Sequence, residues 1–296
     1  MDYTLGTVVE ACIQHQVASR SSHVDPIHAT AHFLCATNTG IGDIQIKLVK
    51  IGKTFTNLQA ELVQKKALKV TVHLIFGDLS PQPSAAIQRT LVSPSAYARR
   101  LPLYCHPSAA ALSEPRPEYT FKSQLRWSVD RAIASRNHLD SPTRTSSETV
   151  GGGGTEWGAW CELSNEGGTP RISAIPFFGD IAMNLPVLLP ESKPGHIKSF
   201  WFPTIVMTIE SKSKIPSVDF SDCTVGVYSE SRFLHDPQAR HHTRVEVWSA
   251  PSCIGQGTVE ERWRDKQYCI AVVGQMALML PIELNFKEGM KDRTKL

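Results

Sequence analysis

The chain has 296 residues, enough for two modest domains or one large one, and its 31 Lys and Arg against 28 Asp and Glu leave a net charge of only +3. The basic residues form no stripe, so no nucleic-acid partner is expected; no apolar run is long enough to span a bilayer, and the start, MDYTLGTVVEACIQHQ, lacks the basic and apolar regions of a secretory leader. The seven cysteines are odd in number and contain no Cys-x-x-Cys pair, which predicts free thiols in a reducing, cytoplasmic setting rather than a disulfide framework or zinc ribbon. The final Arg293-Thr-Lys-Leu296 comes near the Ser-Lys-Leu peroxisomal address, with Thr where Ser is usual.

Tyr3 to Gln16 sets Leu5, Val8, Val9, Cys12 and Ile13 at helical spacing and predicts an amphipathic helix. HATAHFLCAT then turns to strand character, and GDIQIKLVKIG, FTNLQAELVQ and ALKVTVHLIFGDL alternate with period two between turn residues. Residues 1–80 therefore read as one helix followed by antiparallel strands. From 81 to 118 the composition shifts to Pro, Ser and Ala, which predicts a linker over the surface. Residues 119–286 read as a second structured block, with a Gly-rich loop near 141–154 and a polar tail at 287–296. In that block TFKSQLRWSVD and EWGAWCEL are predicted strands, and ISAIPFFGDIAMNLPVLLP is the candidate second helix, interrupted by Pro186. The later strands repeat the order of the first half: DIQIKLVKIGKTF matches TVGVYSESRFL, TNLQAELVQ matches TRVEVWSA, and KVTVHLIFGDL matches IAVVGQMALML. Such self-similarity predicts duplication of an α+β unit in which a sheet wraps a helix.

One residue stands out in the last strand. In CIAVVGQMALML, Gln275 is an uncharged amide in the most apolar segment near the end of the chain. Buried without partners it would cost about 1–3 kcal/mol, so it is either bonded by neighbours, for instance at a bulge marked by Gly274, or kept for a task.

DPIHATAHFL, WFPTIVMTIE, SRFLHD with TRVEVWSAP, and AVVGQMALMLP, in this order, resemble the fungal thioesterase-like double hotdog acyl-CoA thioesterases, relatives of bacterial thioesterase II. The resemblance implies two tandem hotdogs and hydrolysis of an acyl-CoA, in lipid or secondary metabolism, by a water that an Asp, a Thr or Ser and a Gln orient. It places these roles on Asp180 in PFFGDIAMNLP, Thr208 in IVMTIES and Gln275 in VVGQMAL. No cofactor or metal is expected. Members of the family begin with a strand before the first helix, whereas this sequence starts inside that helix, so the first repeat is expected to lack its opening strand and to expose a flank that favours homo-oligomers through the hotdog sheets. Thioester hydrolysis chiefly needs an oriented water, a proton acceptor and donors for the oxyanion. For the last we expect the backbone N–H groups of Gly179 and Ile181, read as a helix start that Asp180 could also cap. Surface Lys212, Lys214 and Arg232 are the candidates for the phosphates of CoA.

Other features read more plainly. Thr208 taken alone is an ordinary strand residue. His28 and His32 share a strand face but lie too far apart for one ion, His241-His242 is expected in a solvated turn, and Phe200, Trp201 and Phe202 are expected in the core or along an acyl tunnel. GGGG at 151–154 lacks the Lys-Ser/Thr of a phosphate loop, and no Gly-x-Ser-x-Gly elbow occurs. Two other activities fit the same fold: an enoyl-CoA hydratase acting from VDPIHAT, and a non-hydrolytic accessory that binds an acyl or polyketide chain.

Overall fold

The structure is a computed structural model and describes residues 3–80, 91–114, 122–144, 149, 151–163, 171–190, 200–214, 221 and 223–284. Helix α1 (Tyr3–Ala18) is followed by β1 (Asp25–Phe33), β2 (Asp43–Ile51), β3 (Thr56–Gln64) and β4 (Ala67–Gly77). The second half contains β5 (Leu125–Val129), α2 (Arg131–Arg136), β6 (Glu156–Leu163), α3 (Ile175–Asp180), α4 (Leu185–Leu188), β7 (Phe200–Trp201), β8 (Thr204–Ser211), β9 (Thr224–His235), β10 (Arg240–Ser249), β11 (Cys269–Ala277) and β12 (Leu280–Pro281). Ten strands form one antiparallel sheet in the order β2-β3-β4-β1-β8-β11-β10-β9-β6-β5, and β7 and β12 pair separately.

The halves meet where β1 runs beside β8, with Thr30 opposite Thr208. Leu5, Val8, Val9 and Cys12, the apolar face of α1, are buried in one core with Phe177 and Phe178 of α3 and the inner residues of the sheet. At the crossing of the halves, a Cβ on Gly6 would lie 2.4 Å from the Ser173 carbonyl oxygen, so only glycine permits that approach. This is the double hotdog expected from the sequence: α+β, with a helix of each half against one face of the shared sheet.

The duplication extends to the irregularities. Against β4, β1 skips Ile27 between Pro26 and His28; against β11, β8 skips Ile205 between Thr204 and Val206. Against β3, β4 skips Lys69; against β10, β11 skips Ile270. The N–H groups of Leu34 and Cys35 both donate to the Lys69 carbonyl, at 2.9 and 3.3 Å, and those of Lys212 and Ser213 both donate to the Ile270 carbonyl, at 2.7 and 3.4 Å. Pro26 thus corresponds to Thr204, Leu74 to Gln275, and Lys69 to Ile270.

Several expectations change. Among the described residues the N-terminal half has four strands in the main sheet and the C-terminal half six, a difference of two rather than one, because β5 and β6 have no counterpart there. The 81–118 stretch is more than a surface linker in its described part: Leu101 and Leu103 are fully buried in a second apolar cluster with Trp160 and Trp248. The backbone N–H groups of Tyr104 and Cys105 donate to Asp130, which also caps α2. Pro186 does not interrupt a helix but lies in the first turn of α4, and the break falls before it, between α3 and α4. The thiols are not all free: Cys223 and Cys253 form a disulfide where the start of β9 and the loop after β10 converge, the Thr224 hydroxyl and the Ile254 N–H both donating to Glu162. The tail at 287–296, with its Arg-Thr-Lys-Leu end, lies outside the described residues. Among the described residues no helix is long and apolar enough to cross a membrane.

Candidate active site

Gln275 is 2 % exposed and lies on the sheet face that carries α3. Residues directly opposite in an antiparallel pair share a face, and neighbours along a strand alternate. Met207 is opposite Gln275 and Gly274 is opposite Thr208, so Thr208 lies on the other face. Its hydroxyl donates to the Gly274 carbonyl at 3.2 Å. Four residues earlier the skipped Ile205 breaks the alternation, and Thr204 comes opposite Ala277 on the Gln275 face.

The Thr204 hydroxyl donates to Asp180 Oδ1 at 2.8 Å and lies 3.3 Å from Gln275 Oε1. A threonine has one hydroxyl proton, so the shorter contact takes it and the longer one competes. The structure therefore brings Asp180 and Gln275 together around the Thr204 hydroxyl, and Thr208 lies apart from them on the other face. Among the described residues the Gln275 amide nitrogen has no partner, nor has Asp180 Oδ2. A free donor and a free acceptor thus flank the Thr204 hydroxyl: a water can use both, and a carbonyl oxygen can use the donor.

Asp180 reaches this place because α3 is pressed against β11. A Cβ on Gly179 would come within 2.8 and 2.9 Å of the Val273 methyl groups. Asp180 is the last residue of α3 and not the cap of a following helix, and the Ile181 N–H already donates to Phe177 O at 3.0 Å. Gly179 lies inside α3. The expected oxyanion donors, Gly179 and Ile181, are thus at the carbonyl end of a helix, where N–H groups are already engaged.

A further residue of this region escaped the sequence reading. His241 lies in β10, not in a solvated turn; it is 2 % exposed, and burial holds its pKa below the ordinary histidine value. Its Nδ1 is 2.9 Å from the Ala239 carbonyl and its Nε2 is 2.9 Å from the Asn184 side-chain amide, just after Asp180 in sequence. Phe202 meets the His241 ring edge-on at 6.0 Å, while Phe200, Trp201 and Phe202 are all half-buried. The signal was the alternation in RHHTRVEVW, which puts His241 on the face of Thr243, Val245 and Val247. His242, by contrast, is exposed.

The cationic candidates lie elsewhere. Lys212 and Lys214 follow β8 at the end opposite Thr204, about 25 Å along the strand. Lys212 pairs with Glu210, and Lys214 pairs with Asp25 at 3.1 Å and donates to Ser80 at 2.9 Å. Arg232 donates to the Gly154 carbonyl at 2.7 Å and pairs with Glu230 at 3.1 Å. Their charges are met within the chain. Asp25 of the hydratase-like VDPIHAT also accepts from the Leu79 N–H at 2.8 Å, and His28 stands opposite Glu210 in the backbone register of β1 and β8. Glu162, Cys223 and Cys253 bring three ligand atoms within 4.8 Å of one another. They do not suit a metal, since the sulfurs are joined and Glu162 already accepts from Arg126, Thr224 and the Ile254 N–H.

Residues 3–77 match the model of the acyl-CoA thioesterase N-terminal domain family. No curated protein sequence matches the chain. Among solved structures, an acyl-CoA thioesterase II from Mycobacterium marinum is similar at 13% identity, covering 95% of this chain and 90% of that one with a TM-score of 0.58. A candidate thioesterase II from Thermobifida fusca is similar at 18% identity over 90% of this chain and 84% of its own, with a TM-score of 0.60. A hot dog fold protein of unknown function from Alicyclobacillus acidocaldarius shares 12% identity over 93% and 85%, with a TM-score of 0.61. At these identities the similarity establishes the fold: tandem hotdogs joined in one sheet.

Proposed function

We propose that this chain hydrolyses an acyl thioester, with acyl-CoA as the substrate class, to the free acid and the thiol. The observation that carries the proposal is the Thr204 hydroxyl between Asp180 and Gln275, 2.8 and 3.3 Å away, in only one of two equivalent places. The corresponding residues of the N-terminal half are Pro26 and Leu74, which have no side-chain group for such chemistry. The family match over residues 3–77 supports the same reading.

In this reading a water donates to Asp180 and accepts from the Gln275 amide. Asp180 takes a proton as the water oxygen attacks the thioester carbonyl, and the amide N–H is available to the developing oxyanion. Collapse of the tetrahedral species breaks the carbon–sulfur bond, and the proton held by Asp180 goes to the leaving thiolate. The Thr204 hydroxyl fixes the carboxylate and the amide relative to each other. No covalent intermediate is needed.

The test is thiol release from acyl-CoA of graded chain length by the wild-type chain and by Asp180→Asn. The asparagine keeps the size of the side chain but cannot take the proton, so turnover should fall roughly 100-fold or more. Undiminished turnover in a folded Asp180→Asn protein would remove Asp180 as the base. Absence of thiol release from every thioester in the wild type, with the acyl ligand still bound, would favour the accessory-protein alternative.

A further inference from the structure

Lys69 is 8 % exposed, and among the described residues its ammonium makes no hydrogen bond or ion pair. Its stem is packed away while its nitrogen, which is not among the buried unpartnered polar atoms, keeps an opening to solvent, so a cation is held in place with no counter-charge of its own. The fold does not demand it, because the same bulge in the C-terminal half holds Ile270, which is 1 % exposed and belongs to the core. Ile270 and its neighbour Ala271 are both in that core, so the bulge turns two successive side chains to the helix-bearing face. Lys69 and Val70, also both buried, stand in the same arrangement.

Lys69 also lies at the end of the sheet that holds Thr204. Its carbonyl accepts from the Leu34 N–H at 2.9 Å, and β1 is in register with β8 as far as His32 opposite Val206. Two residues further, that register sets Leu34 beside Thr204. Lys69 is then two strand spacings from Thr204, or about 10 Å between backbones, a gap of the order that a lysine and a bound anion span together. The polar replacements of the duplicated fold gather at this end: Thr204 for Pro26, Gln275 for Leu74, and Lys69 for Ile270. At the other end, the expected phosphate ligands Lys212 and Lys214 are neutralised by Glu210 and Asp25.

We propose that Lys69 binds an anionic group of the substrate, contributed across the junction by the half that lacks the Asp180 trio. The shared chemistry is an oxyanion, from either a phosphate on the thiol carrier or a carboxylate on the acyl chain. The proposal rests on the hydrolysis reading only for its choice of substrates.

The experiment compares wild type, Lys69→Ile, Lys69→Gln and Lys69→Arg on three thioesters: an acyl-CoA, the same acyl group on pantetheine, which has no phosphate, and an acyl-pantetheine ending in a carboxylate. Lys69→Ile and Lys69→Gln should raise KM about tenfold on the anionic substrate and leave kcat unchanged, and Lys69→Arg should retain most of the affinity. The melting temperature of Lys69→Ile should equal or exceed that of wild type, since the twin position already holds isoleucine. A KM effect confined to acyl-CoA assigns the group to the carrier phosphate; one on the carboxylated pantetheine assigns it to the acyl chain. An equal effect on the uncharged substrate, no effect on any, or a lowered melting temperature without a KM change would overturn the proposal. If the wild type releases no thiol from any thioester, the hydrolysis reading fails by itself. Calorimetric titration with CoA and with a dicarboxylate, wild type against Lys69→Gln, then tests Lys69 alone, and equal binding of both ligands overturns it.

Discussion

Thr208 and Gly274 stand opposite each other on β8 and β11, and the Thr208 hydroxyl donates to the Gly274 carbonyl on the sheet face turned away from Gln275. Thr204, brought to the Gln275 face by the skipped Ile205, holds Asp180 instead. Thr204→Val should fold and lose turnover by about 100-fold, the scale of removing a positioned polar group from a catalytic site. Thr208→Val should keep wild-type turnover in the same thiol-release assay. The reverse outcome would return the role to Thr208.

Gly179→Ala tests how Asp180 is placed. The added methyl would meet the Val273 methyl groups at 2.8 and 2.9 Å, so α3 must lift from β11. Overpacking of this kind costs about 1–3 kcal/mol, and displacement of Asp180 should lower kcat as well. Val273→Ala in the same chain makes room and should recover much of both losses. A double variant no better than Gly179→Ala would show that the contact does not set the carboxylate's position.

The order of strands was legible in the sequence because burial imposes alternation, and the three paired segments matched across the halves are the strands β2 and β9, β3 and β10, and β4 and β11. Gln275 was legible as a polar residue set in an apolar segment, whereas Asp180 was indicated by the resemblance to the double hotdog thioesterases. Thr204 was not, because strict alternation along TIVMTIES gives Thr204 and Thr208 the same face, and only the pairing with β11 shows the residue that breaks it. His241 was hidden by its exposed neighbours, since HisHis beside Arg240 and Arg244 looks solvated until the strand pairs. Lys69 was unremarkable for the same reason: a bulge cannot be seen without its partner strand.

His241 gives acid sensitivity with a definite sign. Burial disfavours the charged ring and lowers its pKa in the fold, with the Ala239 carbonyl acting weakly in the other direction. The unfolded chain therefore takes up the proton first, at about pH 6.5. The stability associated with the neutral ring is complete above that value and is lost as pH falls below it toward the folded pKa. His241→Gln should flatten this limb of a urea-midpoint profile between about pH 5 and 8. His106 is shifted in the same direction by burial, so the difference between the two proteins, not the total slope, is the measure.

The cysteine pairing is checked by counting. The sequence has seven cysteines, of which five are free in the fold. Denatured without reductant, the protein should show five reactive thiols, and seven after reduction. Seven without reductant would restore the expectation drawn from the sequence.

The last expectation concerns β2. Its counterpart by position, β9, is covered on its outer edge by β6, whereas β2 pairs only with β3 among the described residues. On and beside this edge Leu48, Val49 and Ile51 are 48 %, 52 % and 68 % exposed. An open strand edge with apolar side chains promotes pairing between chains, and Lys47 and Lys50 within the same strand oppose it. We therefore expect weak, concentration-dependent self-association, seen by light scattering as a mass that rises with protein concentration. Ile51→Lys adds a third lysine at the most exposed apolar position of the strand and should hold the mass at that of a single chain, with thiol release unchanged because three strands separate β2 from β8. A wild-type mass that does not change with concentration, or an association that Ile51→Lys leaves intact, would show that this edge is not what brings chains together.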